Sequence, residues 1–223
     1  MSKTIIVTCA TGNIGKSLCE HLASKHYNLI LISKTQEKLE QFKQILTKKY
    51  TIRVDIVSVN FDYKSDFGLL HQICKQAEFI DGVVLITPKI TPTNNCFPEC
   101  DIWIENFNRV FVNPLELLKN LMPYLQSNNK RSKIAIISGI SSVHALPNYV
   151  INNTIRTAWL GHAKSLAIHY GDKGIHFNTL SIGGVMTETF FETIKKEALK
   201  LNRSPEEILS LKVDNVPLKK YAS

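Results

Sequence analysis

Short runs of β-branched and aliphatic residues recur along the chain, and most are followed by apolar residues at helical spacing. Ile5-Ile6-Val7 leads into Thr8-Cys9-Ala10-Thr11-Gly12-Asn13-Ile14-Gly15, after which Ile14, Leu18 and Leu22 mark one face of a helix. The same alternation continues. Tyr27 to Ile32 predicts a buried strand, Thr35 to about Lys49 a polar helix, Arg53 to Val59 a third strand and Tyr63 to Phe79 a helix. Gly82 to Ile86 predicts strand four, and Lys89 to Cys100 a polar, proline-containing loop. Trp103, Phe107, Val110, Phe111, Leu115, Leu118 and Leu121 then trace one long helix ending near Pro123. Ile134 to Ile137 predicts strand five, Asn152 to Tyr170 a helix with Ile155, Trp159, Ala163, Leu166 and Ala167 on its apolar face, and His176 to Ser181 strand six. Helical pieces at Glu192–Leu201 and Pro205–Leu211 follow. Strands alternating with helices predict one α/β domain over residues 1–223, a doubly wound parallel sheet of the Rossmann type with helices on both faces.

Composition narrows the classes. A net charge of +8 invites an acidic partner, but the lysines are spread through every segment and aromatic residues do not interleave with them. Phosphate binding wants a patch or stripe, so a solvated surface and no nucleic-acid partner are expected. No apolar run approaches the roughly 20 residues of a membrane span, which predicts no membrane partner and a cytoplasmic address. Five cysteines form no paired framework, as expected of free thiols in a reducing compartment. Cys96 and Cys100 have no second pair or histidine beside them in sequence, so no metal site is expected.

The first turn carries the first candidate site. A glycine-containing turn between strand and helix lets backbone N–H groups approach a pyrophosphate, whose charge the helix N-terminus favours. Thr8, Gly12, Asn13, Ile14 and Gly15 are the residues so placed. Thr8 to Gly15 resembles the Thr-Gly-x-x-Gly-x-x-Gly signature of atypical and extended short-chain dehydrogenases/reductases, with Cys9 where the first glycine belongs. The end of strand two selects the cofactor: an acidic residue there accepts bonds from the NAD ribose, a basic one tolerates the NADP phosphate. Ser33 and Lys34 bring no carboxylate, so NADP is favoured over NAD. The resemblance makes Asp62 the aspartate that holds the adenine ring; alternatively it caps the following helix. Strand four departs from the family's Asn-Asn-Ala-Gly ending and reads Leu85-Ile86-Thr87-Pro88.

The second half is similar to the typical short-chain dehydrogenases, through Leu160 to Ala167, Lys173 to Asn178 and Ser181 to Thr187. That likeness implies that Val185 and Thr187 hold the nicotinamide carboxamide and that Asn113 organises a water in the proton relay. It also implies a serine, a tyrosine and a lysine for proton transfer, and these positions fall on Gly139, Asn152 and Arg156. An amide cannot deliver the proton, and arginine can bond a ribose without being equivalent to lysine. Tyr149 as the acid, and Ser138 or Ser141 as the oxyanion donor, are the alternatives. The resemblance implies an oxidoreductase for a small carbonyl or alcohol substrate, with its usual catalysis impaired, or an inactive dinucleotide-binding sensor or partner protein. It further implies a homodimer or tetramer. The family's seventh strand has no counterpart, so strand six is expected at the sheet edge.

Overall fold

The computed structural model describes residues 3–77, 79–126, 131–214 and 216–222. Six strands form one sheet: β1 (Thr4–Val7), β2 (Asn28–Ser33), β3 (Val54–Ser58), β4 (Gly82–Ile86), β5 (Ser132–Gly139) and β6 (Ile175–Ile182), in the order β3-β2-β1-β4-β5-β6. The pairings of β1 with β2 and β4, of β2 with β3, and of β4 with β5 are all parallel. The direction of winding reverses between β1 and β4, where a doubly wound sheet opens a crevice at the carboxyl ends of its strands. As expected, β6 lies at the edge.

Because successive strand residues point to opposite faces, β1, β2, β3 and β4 each feed two cores, whereas β5 and β6 feed one. Ile6, Ile30, Ile32, Val83, Leu85, Ile134 and Ile136 pack with buried residues of α3 (Gly68–Gln76), α5 (Asn113–Leu125) and α6 (Val150–Tyr170). On the other face Val7, Leu29, Leu31, Val54 and Ile56 meet α1 (Asn13–Ser24) and α2 (Gln36–Lys49). Helices therefore lie on both faces, as the alternating pattern predicts. Residues Met1–Ser181 and Ile182–Ser223 form two compact units. The second holds α7 (Glu188–Leu201) and α8 (Pro205–Val213), the latter opened by a capping box between Ser204 and Glu207. Among the described residues no helix is long and apolar enough to cross a membrane.

Two expected helices differ. The one predicted from Tyr63 starts only at Gly68, because Asp66 Oδ1 accepts the Gly68 N–H at 2.9 Å and holds the chain in a turn. Asp62 therefore caps no helix. The long helix through Trp103 and Leu121 is divided into α4 (Cys100–Phe107), a π-helical turn (Asn108–Val112) and α5. Pro114 explains the division: it has no N–H for the Val110 carbonyl four residues back, and its ring crowds that carbonyl. The Asn113 N–H instead reaches Asn108, five residues back, while the freed Val110 carbonyl accepts the Trp159 indole N–H at 2.8 Å. The turn thus fastens α6 to the α4–α5 segment through a buried tryptophan, whose ring lies 4.9 Å from that of Phe111.

Candidate active site

The carboxyl end of β1 runs into the glycine turn. Cys9 takes φ 46°, in the left-handed region where a side chain is strained, at the position where the resemblance expects glycine. Burial pushes its thiol up to about 11, so it is no nucleophile at neutral pH. Gly15 is packed directly on the turn: a Cβ there would lie 2.8 Å from the Ala10 Cα, and closer still to the Cys9 carbonyl oxygen. Gly12 begins α1 with no side-chain cap, and a Cβ on it would meet only the Cys9 carbonyl, at 3.3 Å. Gly15→Ala is therefore expected to lower stability by about 1–3 kcal/mol, and Gly12→Ala by much less. Urea unfolding checks this; equal midpoints for the two variants would mean that the turn yields.

The Thr8 hydroxyl is engaged within the sheet. It donates to the Ile86 carbonyl and accepts the Ile86 N–H, each at 2.7 Å, which ties the end of β1 to the end of β4. Ile14 is exposed on the first turn of α1, next to Asn13. Thr11 and Ser33 join their hydroxyls at 2.6 Å, which links the glycine turn to the end of β2. Lys34 and Asp62 form an ion pair at 2.5 Å, and Arg109 stands 4.0 Å from the other Asp62 oxygen. The cation at the end of β2 and the aspartate after β3 thus meet, although the sequence places them 28 residues apart.

Asn113 donates from Nδ2 to the Phe61 carbonyl at 2.7 Å, which anchors the start of α5 to the exit of β3. At the ends of β5 and α6, Asn152 is 2% exposed and its Oδ1 has no hydrogen-bond partner, while Nδ2 reaches the Ile90 carbonyl at only 3.5 Å. The buried Ser138 hydroxyl likewise has no partner. Tyr149, half-buried, stands at the N-cap of α6, and the Thr93 segment forms a parallel bridge with it. Arg156 lies one helical turn beyond Asn152 and donates from Nη1 to Ser141 Oγ at 2.9 Å. Its guanidinium takes the space in front of Gly139, where a Cβ would lie 2.7 Å from Cζ. Desolvation lowers its pKa from the usual arginine value, against a raising influence of Tyr149. The family likeness groups residues 139 and 156 in one catalytic set, but nothing in the sequence signals that the guanidinium fills the space a side chain at 139 would take.

A cavity of about 470 Å³ adjoins this cluster, lined by Ser141, Ser142, Val143, Ala145, Asn153, Thr154 and Thr157. A second, of about 520 Å³, opens between Lys3, Tyr27, Asp81 and Lys133 at the amino ends of the strands, away from the crevice. In the second unit Val185 bridges to Ala222, and the Thr187 hydroxyl accepts the Phe190 N–H as the N-cap of α7. Among the described residues no three metal-ligating side chains gather, and the five cysteines are free.

The chain is similar to known proteins in sequence and in fold. An uncharacterized oxidoreductase of Bacillus subtilis, YmfI, is 27% identical over 207 residues, 89% of this chain and 82% of its own. The NADPH-dependent reductase BacG of the same bacterium is 23% identical over 232 residues, covering 100% of this chain and 87% of its own. The crystal structure of L-sorbose reductase from Gluconobacter frateurii, complexed with NADPH and L-sorbose, matches the fold with a TM-score of 0.87 at 18% identity, over 100% of this chain and 85% of that one. The profile of the short chain dehydrogenase family matches residues 3–198, and with its sheet order and glycine turn the chain belongs to that family.

Proposed function

We propose that the chain is a nicotinamide-dinucleotide-dependent oxidoreductase for a small carbonyl or alcohol substrate, that it favours NADP, and that its proton delivery is impaired. The glycine turn carries this reading: Gly15 allows a close backbone approach, and α1 opens on a glycine with no side-chain cap over its N-terminus. NADPH when bound would supply the hydride; Gly12 to Gly15 would hold its pyrophosphate, Asp62 its adenine and Lys34 its 2′-phosphate. Val185 and Thr187 are assigned to the carboxamide by family likeness. BacG, an NADPH-dependent reductase, and L-sorbose reductase, whose crystal structure holds NADPH, lend weight to the cofactor.

The residues at the reaction end favour slow chemistry. A general acid must hold a proton it can release near working pH. Asn152 has none to give, Gly139 offers no donor, and the Arg156 guanidinium stays protonated at neutral pH. The buried, partnerless Asn152 Oδ1 also favours a second reading, a dinucleotide-binding sensor or partner protein that does no chemistry.

Titration with NADPH tests the binding common to both readings. At about 100 times its dissociation constant the nucleotide should stabilise the fold by roughly 2.7 kcal/mol. Lys34→Ala should weaken NADPH about tenfold, the worth of one charge-assisted bond, and leave NADH unchanged. A melting curve insensitive to both nucleotides would refute the proposal. Turnover of a ketone panel with NADPH then separates enzyme from sensor.

A further inference from the structure

We infer that the cavity of about 520 Å³ at the amino ends of the strands binds an amphiphilic anion, an apolar chain carrying one negatively charged head. It opens away from the crevice and shares no residue with the glycine turn, so it stands apart from the nucleotide site.

Its floor follows from the register of three strands. Ile5 of β1 pairs with Gly82 of β4, and Gly82 with Lys133 of β5; two residues on, Val84 pairs with Ala135. Paired residues point to one face, as do residues two apart along a strand, so Ile5, Val84 and Ala135 share a face with Lys133. Gly82 leaves the middle of its row open: a Cβ there would lie 2.9 Å from the Lys133 carbonyl oxygen and 3.2 Å from Ile5 Cδ1. Leu22 and Tyr27 complete the apolar lining. All five apolar side chains are only half-buried. A parallel sheet is normally covered on both faces, yet β5 contributes no residue to the core on this one. An apolar chain lying here would take that surface out of water.

The charge stands at the same place. Lys3, Arg131 and Lys133 line the cavity against one carboxylate, Asp81, whose Oδ2 is taken up by the Thr4 N–H at 2.9 Å. Among the described residues none of the three cations enters an ion pair. Their like charges repel one another until an anion is present. Lys3 leads into β1 and Lys133 lies on β5, the two neighbours of β4, which run about 10 Å apart, two strand spacings. Between them Gly82 presents no side chain, and an anionic head fits that gap. A small inorganic anion would leave the floor wet, and a cationic head would be repelled.

Calorimetric titration of the whole chain with decanoate, acetate and decyltrimethylammonium, each below its micelle-forming concentration, tests this. Decanoate should bind saturably. Acetate, which lacks the chain, and decyltrimethylammonium, which reverses the head charge, should each bind at least about tenfold more weakly. Lys133→Glu should weaken decanoate by about tenfold or more, the worth of one charge-assisted bond, and Lys133→Arg should keep most of the affinity. Lys133 is exposed, and both variants should melt as the unmodified chain does. In the unmodified chain decanoate should move the methyl resonances of Ile5, Leu22 and Val84. Those of Val110 and Ile151, in the core on the other face of the sheet, should stay in place. Absence of saturable decanoate binding, equal binding of the cationic amphiphile, an affinity unchanged in Lys133→Glu, or shifts confined to other methyls would overturn the site. Decanoate bound by a chain that ignores NADPH would uphold this site and end only the cofactor proposal.

Discussion

Asn152→Tyr, Arg156→Lys and Gly139→Ser introduced together should raise NADPH-dependent reduction of small ketones by roughly a hundredfold or more, the usual contribution of a positioned general acid. The three changes have to be made together. A side chain at residue 139 runs into the Arg156 guanidinium, since even its Cβ would lie 2.7 Å from Cζ. Gly139→Ser alone must therefore displace the arginine and break its 2.9 Å bond to Ser141, at a cost of about 1–2 kcal/mol. With Arg156→Lys the obstructing group is gone and the serine should be accommodated. A double-mutant cycle between positions 139 and 156 should show coupling of about 1 kcal/mol or more. Additive stabilities, or a triple variant as slow as the unmodified chain with nucleotide binding intact, would mean that the remaining pocket is not built for this reaction.

The physical content of that expectation is reciprocity. Arginine at residue 156 and glycine at residue 139 are not two separate losses, because the larger cation fits only where the side chain opposite is absent. Neither replacement is informative alone in a linear sequence, where 17 positions and the whole of the loop before α6 separate them. The same distinction runs through the molecule. The alternation of β-branched strands and amphipathic helices made the six strands and the two covered faces legible, because strand and helix periods depend on neighbours in sequence. Gly15 was legible as a close-approach position for the same reason. The π-helical turn was not: the helical spacing of Phe107, Val110, Phe111 and Leu115 continues through it, and the break depends on how Pro114 meets the Val110 carbonyl and on a tryptophan 49 residues away. The late start of α3 follows from one Asp66 hydrogen bond that no periodicity reveals. The Lys34–Asp62 pair was readable only as two separate candidates.

Thr8 shows how a motif residue can serve the fold first. Its likeness to the family signature places it among the nucleotide-binding residues, yet it is fully buried and its hydroxyl both donates to and accepts from the backbone of Ile86. Those two bonds join β1 to β4 at the point where the winding of the sheet reverses, next to the turn that Gly15 packs against. Thr8→Val keeps the shape and removes both bonds, which strips the Ile86 N–H and carbonyl of this partner. At about 1 kcal/mol for each bond, and more for a backbone group left unsatisfied, the variant should lose roughly 2–4 kcal/mol of stability. Thr8→Ser retains the hydroxyl and should lose less. If the hydroxyl acts only through the strands, the fraction of Thr8→Val that remains folded should bind NADPH as the unmodified chain does. The denaturant midpoint would then fall while the dissociation constant, measured well below the unfolding transition, stays put. A dissociation constant raised tenfold with the midpoint unchanged would return Thr8 to the nucleotide site and remove it from the sheet's account.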